Sequence, residues 1–303
     1  MSSTSGAPAQ ALPDTTHVAS VRVGVRNLER SLAWYDHWFG LVAHALDEHG
    51  VLGLAPVGGA VILELVERPG AEQFGGHHTG LYHMALRVPE RVDLARWLAH
   101  AAQQQLPLIG AADHFVSEAI YLTDPDGHGI EIYWDRPRSV WDGQVHLMTT
   151  ASLDINDLFS ELDTLAINSG TARVPPQTDM GHVHLQVADI DGTIAFLRDV
   201  IGFDLMMTFG RQAAFLATGG YHHDVGANTW ASRGAPPAPD AMAHLEHVTF
   251  ALPEGRAIEE LQARVAAAGI PARADAGVIE VTDPSGNRLI FRSDAEAQES
   301  ATP

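Results

Sequence analysis

Apolar and polar residues follow the same pattern in two stretches that lie far apart in the chain. Residues 20–41 (SVRVGVRNLERSLAWYDHWFGL) and 182–203 (HVHLQVADIDGTIAFLRDVIGF) align without a gap. In each stretch apolar residues alternate with other residues over about six positions, which is typical of a half-buried strand. A polar turn then leads into a helical pattern that closes at Gly40 or Gly202, where a C-cap glycine belongs. Both stretches are therefore predicted to form a strand followed by a helix.

A second pair of similar stretches follows the first pair. YHMALRVPE (82–90) and EHVTFALPE (246–254) each read as an alternating strand before a helix. Further on, TDPDG (123–127) and TDPSG (282–286) are turn sequences between strand-like runs, because Pro fixes φ and Gly tolerates positive φ. These turns predict a hairpin at the end of each unit.

The repeats divide the chain into four strand–helix–strands units. We place the units at 17–68, 80–135, 180–232 and 244–292, with 136–179 as a linker between the halves 17–135 and 180–292. A length of 303 residues agrees with such a division, since one domain usually takes about 100–200 residues.

Composition excludes several function classes. The formal net charge is −20, and all 18 basic residues are arginines, so neither a nucleic acid nor an anionic membrane is expected as a partner. The absence of cysteine removes thiolate metal sites and cysteine nucleophiles, so any metal must use histidine and carboxylate. No signal-peptide pattern and no long apolar run occur, which predicts a cytoplasmic protein.

The repeated units resemble those of a known superfamily. TGLYHMALRVP, DHFVSEAIYLTDPDGHGIEIYWDRP, GHVHLQVADI and GGYHHDVGANTW are similar to the bacterial catechol 2,3-dioxygenase-like members of the vicinal oxygen chelate superfamily. That superfamily also includes glyoxalases and bleomycin-resistance proteins. The resemblance covers nearly the whole chain and implies an α+β fold, in which four βαβββ modules form two cup-shaped half-barrels.

The resemblance also implies a metal site. Non-haem Fe(II) oxygenases use two histidines and one carboxylate on one face, which leaves coordination positions open. In the extradiol members the ligands come from the first strand of one module and from the first and last strands of its partner. The second module offers His83 and Glu131, and the third offers His182. These two modules are therefore expected to pair, with His184 as an alternative ligand on the same strand face.

The first and fourth modules hold different residues at the corresponding positions. Ser20, His247 and Ile290 cannot form a facial triad, so this half is predicted to bind no metal. The resemblance further implies catalytic roles in the other half. His223 would take a proton from the substrate, Tyr121 would hydrogen-bond a substrate oxygen, and His114 would complete the pocket.

Two further predictions concern the pair His222 and His223 and the aromatic residue Trp230. His222 and His223 are expected on one strand and therefore on opposite faces, so that only His223 enters the cup. Trp230 is expected to be a core or interface aromatic residue rather than part of a substrate wall.

The resemblance implies an extradiol ring-cleaving dioxygenase that inserts O₂ into a catechol-type substrate. Its expected cofactor is Fe(II), although the same donors accept Mn(II), and a homo-oligomer is expected. One alternative is a glyoxalase-type metal-dependent isomerase or lyase, which would add a fourth carboxylate ligand where alignment with Glu64 offers only Val225. Another is a metal-free, drug-sequestering binding protein. This alternative does not explain why two histidines and one glutamate all occupy ligand positions. The substituent on the catechol stays open.

Overall fold

The computed structural model describes residues 11–47, 49–162, 173–275 and 277–294. Its strands are β1 (His17–Val25), β2 (Leu41–Leu46), β3 (Val51–Pro56), β4 (Leu63–Glu67), β5 (Gly80–Arg87), β6 (Gly110–Asp113), β7 (Ser117–Thr123), β8 (Gly129–Asp135), β9 (Ala151–Ser152), β10 (Asp179–Gln186), β11 (Asp204–Phe209), β12 (Ala213–Ala217), β13 (Val225–Asn228), β14 (Leu245–Leu252), β15 (Ala272–Asp275), β16 (Val278–Thr282) and β17 (Arg288–Ser293). Its helices are α1 (Leu28–Phe39), α2 (Arg91–Gln103), α3 (Arg138–Trp141), α4 (Ile155–Phe159), α5 (Ile190–Ala195) and α6 (Gly255–Ala267).

Each of the four predicted units contains one strand, one helix and three further strands. The units are β1-α1-β2-β3-β4, β5-α2-β6-β7-β8, β10-α5-β11-β12-β13 and β14-α6-β15-β16-β17. The predicted α+β fold of four βαβββ modules is therefore confirmed. The segment 136–179 contains α3, β9 and α4, and its residues 163–172 lie outside the described part. Its assignment as a linker stays a prediction.

The modules combine into two sheets in a non-sequential way. The first and fourth modules form an eight-stranded sheet with the order β15-β16-β17-β14-β1-β4-β3-β2. The second and third modules, extended by β9, form a nine-stranded sheet with the order β11-β12-β13-β10-β5-β8-β7-β6-β9. At the centre of each sheet an antiparallel pair, β1 with β14 or β5 with β10, joins the two modules.

Helix ends follow the signals in the sequence. The side chain of Asn27 accepts a hydrogen bond from the Arg30 backbone N–H at 2.7 Å, which caps α1 at its first turn. Helix α1 ends at Gly40, whose φ of 66° lies in the left-handed region. The helical stretch that begins with α5 continues as a π-helical turn and ends at Gly202, with φ of 103°. Both predicted C-cap glycines are confirmed.

The alternation of strand residues separates the core from the inner face of each sheet. In β8 the fully buried Ile130 and Ile132 join the hydrophobic core, and α2 packs beside this strand. Glu131 lies between them and so points to the opposite face. Across the two sheets, the buried Asp126 carboxylate pairs with Arg26 and Arg30 of the first module. Among the described helices, none is long and apolar enough to cross a membrane.

Candidate metal centre

Three neighbouring strands bring the predicted ligands together. His182 of β10 lies opposite Ala85 of β5, and Ala85 lies beside Glu131 of β8. His83 precedes Ala85 by two residues and therefore shares its face of the sheet. The small Ala85 side chain occupies the middle of this arrangement. The space above its methyl group is enclosed by the three larger side chains.

The ligand atoms of these side chains lie close together. One carboxylate oxygen of Glu131, Oε2, lies 3.0 Å from His83 Nε2 and 3.3 Å from His182 Nε2. All three ligand atoms lie within 4.8 Å of one another, and all three residues are buried. Bonds of about 2.1 Å at right angles around one ion place neighbouring ligand atoms about 3 Å apart. The spacing is therefore suited to a metal ion.

The donor chemistry also fits a cation. Within the described part of the chain, His83 Nε2 and His182 Nε2 are buried without a hydrogen-bond partner. Burial lowers the pKa of His182 to about 4, so its ring is neutral at pH 7 and its nitrogen offers a lone pair. Burial raises the pKa of Glu131, but the nearby histidines outweigh it and hold the pKa well below its ordinary value. An ionised carboxylate and two neutral imidazoles are the donors that such a metal requires.

The alternative ligand His184 lies outside this group. It faces His83 across the β5–β10 pair, on the same face of the sheet, but the cluster of ligand atoms includes His182 instead. His184 lines the cavity above the site, and its ring centroid lies 5.1 Å from that of Tyr82 and 5.6 Å from that of Trp230. Burial lowers the pKa of His184 well below its ordinary value, so its ring is neutral.

Strand β13 offers no carboxylate that could serve as a fourth metal ligand. If Ser20 corresponds to His182, then Arg22 corresponds to His184. Arg22 pairs with Glu64, whereas His184 pairs with Gly226. The prediction that Val225 occupies the position of Glu64 is therefore wrong by one residue. A Cβ atom at Gly226 would lie 2.9 Å from the His184 ring, so a larger residue would displace that ring.

The predicted pocket residues His114 and Tyr121 are in direct contact. Tyr121 neighbours Glu131 across the β7–β8 pair. His114 Nδ1 lies 2.6 Å from the Thr149 carbonyl oxygen and therefore carries the proton, which leaves Nε2 as an acceptor. The Tyr121 hydroxyl lies 2.6 Å from this Nε2. Burial first, and then the Glu131 charge, raises the pKa of Tyr121 well above its ordinary value, so the hydroxyl stays protonated.

The arrangement of His222 and His223 differs from the prediction. Both residues lie in the bend before β13 rather than on a strand, and their Nδ1 atoms are 2.8 Å apart. The prediction that they point to opposite faces is wrong, because strand alternation does not apply in a bend. His223 lines the cavity, and its ring centroid lies 4.1 Å from that of His182. His222 is fully buried and contacts Asp135 through Nε2 at 2.7 Å.

A cavity of about 520 Å³ opens above the cluster and includes His83, Glu131, Tyr121, His114 and His223 in its walls. Its lining also includes large apolar side chains, namely Phe74, Ile109, Met207, Phe209, Phe215 and Trp230. Trp230 thus lines the cavity and is 46% exposed, so its prediction as a core aromatic is wrong, whereas a role at an interface stays a prediction. The sequence pattern does not distinguish a core aromatic residue from one in the cavity wall, because both roles place an aromatic residue beside a strand.

Sequence reasoning did not find Tyr133 and Asp135. The period-two alternation of β8 places them on the face of Glu131, and this signal was available. The Tyr133 ring lies 4.9 Å from that of His182, and its hydroxyl lies 2.8 Å from the Tyr221 hydroxyl. Asp135 Oδ1 lies 2.7 Å from His222 Nε2.

Comparison with known proteins agrees with this geometry. Residues 16–132 and 179–291 match the model of the Glyoxalase/Bleomycin resistance protein/Dioxygenase superfamily. The chain belongs to this superfamily. Within it, the chain is 38% identical over 286 residues to the catechol-2,3-dioxygenase of Bacillus subtilis (strain 168), which covers 92% of this chain and 98% of the relative.

Solved structures of other proteins share the superfamily fold. A candidate dioxygenase of Bacillus subtilis subsp. subtilis str. 168 superposes with a TM-score of 0.63 at 14% identity, covering 94% of this chain and 86% of that one. Glyoxalase I of Zea mays gives a TM-score of 0.58 at 14% identity, covering 94% and 95%. At these identities the two superpositions show the fold alone.

Proposed function

We propose that the chain is an extradiol dioxygenase that cleaves a catechol-type substrate with O₂. The observation that carries the proposal is the buried group of His83, Glu131 and His182 at the base of a cavity. Similarity to a catechol-2,3-dioxygenase over 92% of the chain supports it. The expected product is an open-chain muconic semialdehyde, which contains both oxygen atoms of O₂.

His83, Glu131 and His182 would hold one Fe(II), and the same donors accept Mn(II). When bound, the metal supplies positive charge that acidifies the substrate hydroxyls, together with an electron path between substrate and O₂. Three protein ligands leave coordination positions open for both reactants. The opening of the cavity above Glu131 and His83 gives the substrate access to these positions.

His223 is the proposed acceptor of the catechol proton. Burial lowers the pKa of His223 well below its ordinary value, so the ring is neutral and one nitrogen is free to accept a proton. The ring lines the cavity beside His182, within the region where a substrate on the metal would lie. After taking the proton, His223 can return it when the ring opens.

Tyr121 and His114 are the proposed groups that hold the substrate oxygens. The protonated Tyr121 hydroxyl now donates to His114 and can also accept a hydrogen bond from a substrate hydroxyl. The Thr149 carbonyl fixes the tautomer of His114, so this orientation of the hydroxyl is determined before the substrate binds.

The glyoxalase-type alternative has less support. That activity calls for a fourth metal ligand, which is a carboxylate, and the corresponding position here is Gly226. A metal-free binding protein is also disfavoured, because burial of the ionised Glu131 carboxylate is costly without a cation.

Anaerobic reconstitution tests the proposal. The purified protein is loaded with Fe(II), mixed with catechol and then exposed to air, and the yellow ring-fission product is followed. We expect rapid product formation in the wild type and none in Glu131→Ala treated in the same way. Methylglyoxal with glutathione provides the competing assay for a glyoxalase. Turnover of that pair without cleavage of any catechol would contradict the proposal.

A further inference from the structure

We propose that Asp135, acting through His222, holds His223 in the tautomer whose Nε2 carries no proton. The catalytic consequence rests on the proposed function, but the tautomer itself does not. Asp135 and His222 are positioning residues in this account, since neither lines the cavity.

The Asp135 carboxylate has two ends with different partners. Its Oδ2 accepts hydrogen bonds from the Tyr221 hydroxyl at 2.7 Å and from Arg87 Nη1 at 3.3 Å. Its Oδ1 lies 2.7 Å from His222 Nε2. A carboxylate held by a guanidinium is ionised and can only accept, so His222 Nε2 must carry a proton and donate it.

The proton on His222 Nε2 determines the rest of the chain of hydrogen bonds. In neutral His222, Nδ1 then has no proton and is an acceptor. Because His223 Nδ1 lies 2.8 Å away, the hydrogen atom between them must belong to His223 Nδ1. His223 Nε2 therefore has a free lone pair. A doubly protonated His222 would donate from Nδ1 and reverse this result, and the nitrogen spectrum described below distinguishes the two states.

Packing holds the middle residue of this chain in place. The His222 ring is fully buried, with its centroid 4.0 Å from Tyr221 and 5.5 Å from Trp141. When His223 Nε2 takes a proton from a substrate hydroxyl, the proton on its Nδ1 can pass to His222 Nδ1. The positive charge then lies on His222, next to Asp135 and further from the metal. One proton enters the chain, none leaves it, and no electron moves.

Nitrogen NMR tests the tautomer directly. The protein is labelled with ¹⁵N-histidine and loaded with diamagnetic Zn(II), and the His223 signals are assigned by their loss in His223→Phe. We expect a proton on Nδ1 and none on Nε2 in the wild type. In Asp135→Asn the amide oxygen must still accept from Tyr221 and Arg87, so its NH₂ group faces His222. Both histidines should then invert, and His223 should carry its proton on Nε2.

Kinetics test the consequence of the tautomer. In the Fe(II) enzyme, Asp135→Asn should lower kcat by about 10²-fold or more, with metal content and the KM for catechol nearly unchanged. In the His223→Phe background the same change should lower kcat no further, because both residues act through one group. Tyr35→Phe removes a comparable buried hydrogen bond, 3.0 Å to Asp124, outside the site and should leave kcat unchanged.

Two outcomes would overturn the proposal. One is a wild-type spectrum with the His223 proton on Nε2, and the other is an Asp135→Asn effect on kcat that adds fully to that of His223→Phe. If Asp135→Asn does not fold, His222→Asn provides the same kinetic cycle. Failure of every variant and of the wild type to cleave catechol would contradict the proposed function, while the NMR result would still decide the tautomer.

Discussion

The two sheets of the molecule place different chemistry on equivalent positions. We name the concave face of the β5, β8, β10 and β13 strands the His–Glu–His cup, and that of β1, β4, β14 and β17 the Arg–Glu cup. Strand pairing relates their residues as follows: His182 with Ser20, His83 with His247, Ala85 with Thr249, Glu131 with Ile290, His184 with Arg22 and Gly226 with Glu64.

The difference between the cups lies in how the charge of a carboxylate is compensated, on the half-buried Glu64 in one cup and on the buried Glu131 in the other. In the Arg–Glu cup, Glu64 accepts hydrogen bonds from Arg22 Nε at 2.6 Å and from the Ser20 hydroxyl at 2.8 Å. A side chain of the protein thus supplies the positive charge. In the His–Glu–His cup, Glu131 lies between the imidazoles of His83 and His182, and a bound cation would complete the arrangement. One module architecture therefore supports either an internal ion pair or a metal site.

Removal of a single metal ligand should have the largest effect, because it should abolish the difference in metal binding between the two cups. His83→Ala, Glu131→Ala and His182→Ala should each abolish metal retention, because two remaining protein ligands anchor an ion poorly. Metal analysis after loading with Fe(II) and desalting measures this. His247→Ala, at the position equivalent to His83, is the matched control and should keep the metal. Loss of metal in His247→Ala with retention in His83→Ala would reverse the assignment of the cups.

The proton acceptor should affect turnover without affecting metal binding. His223→Phe should retain Fe(II) and bind catechol, yet its kcat should fall by about 10²–10⁴-fold, the usual effect of one general acid–base group. Metal analysis, anaerobic binding of catechol and steady-state kinetics separate these steps. Full activity in His223→Phe would exclude His223 as the proton acceptor.

The ion pair of the Arg–Glu cup should affect stability rather than activity. Arg22→Met leaves Glu64 without its cation and should lower the free energy of unfolding by about 1–2 kcal/mol. Removal of both charges, in Arg22→Met with Glu64→Leu, should recover much of this loss. Urea unfolding measures the free energy, and kcat should stay at the wild-type value in both variants. A large fall in kcat would show that the Arg–Glu cup takes part in the reaction.

The expected effect that is smallest at neutral pH is a dependence of stability on pH. Burial, and then Arg22, lowers the pKa of His247 to about 4, whereas the unfolded chain has a value of about 6.5. Between these two values the unfolded state binds more protons, so stability is lost as the pH falls through this window. From pH 7 to pH 5, metal-free His247→Gln should lose about 2 kcal/mol less than the wild type.

Urea unfolding at the two pH values gives this difference. The exposed His44 provides the control, and His44→Gln should follow the wild-type profile. Equal losses in His247→Gln and the wild type would contradict the effect assigned to burial.

Local patterns predicted most of the fold. Alternation and the cap residues Gly40 and Gly202 placed the strands and helices, because these signals depend on neighbours in sequence. The resemblance to the superfamily indicated His83, Glu131 and His182 as ligands, and the structure brings these three side chains together. The geometry of His222 was missed, because a bend has no fixed side-chain period. Trp230 was misassigned, because its exposure depends on the cavity formed by both modules of its sheet.

Anaerobic titration of the wild-type chain with Fe(II) tests the central claim most directly, namely that one cup binds the catalytic metal and the other binds none. Bound iron and catechol-cleaving activity are measured in the same samples. The account predicts that both reach their maximum at one equivalent per chain, and that Glu131→Ala binds no tight equivalent. Two tight equivalents per chain, or activity that continues to rise beyond the first, would contradict it.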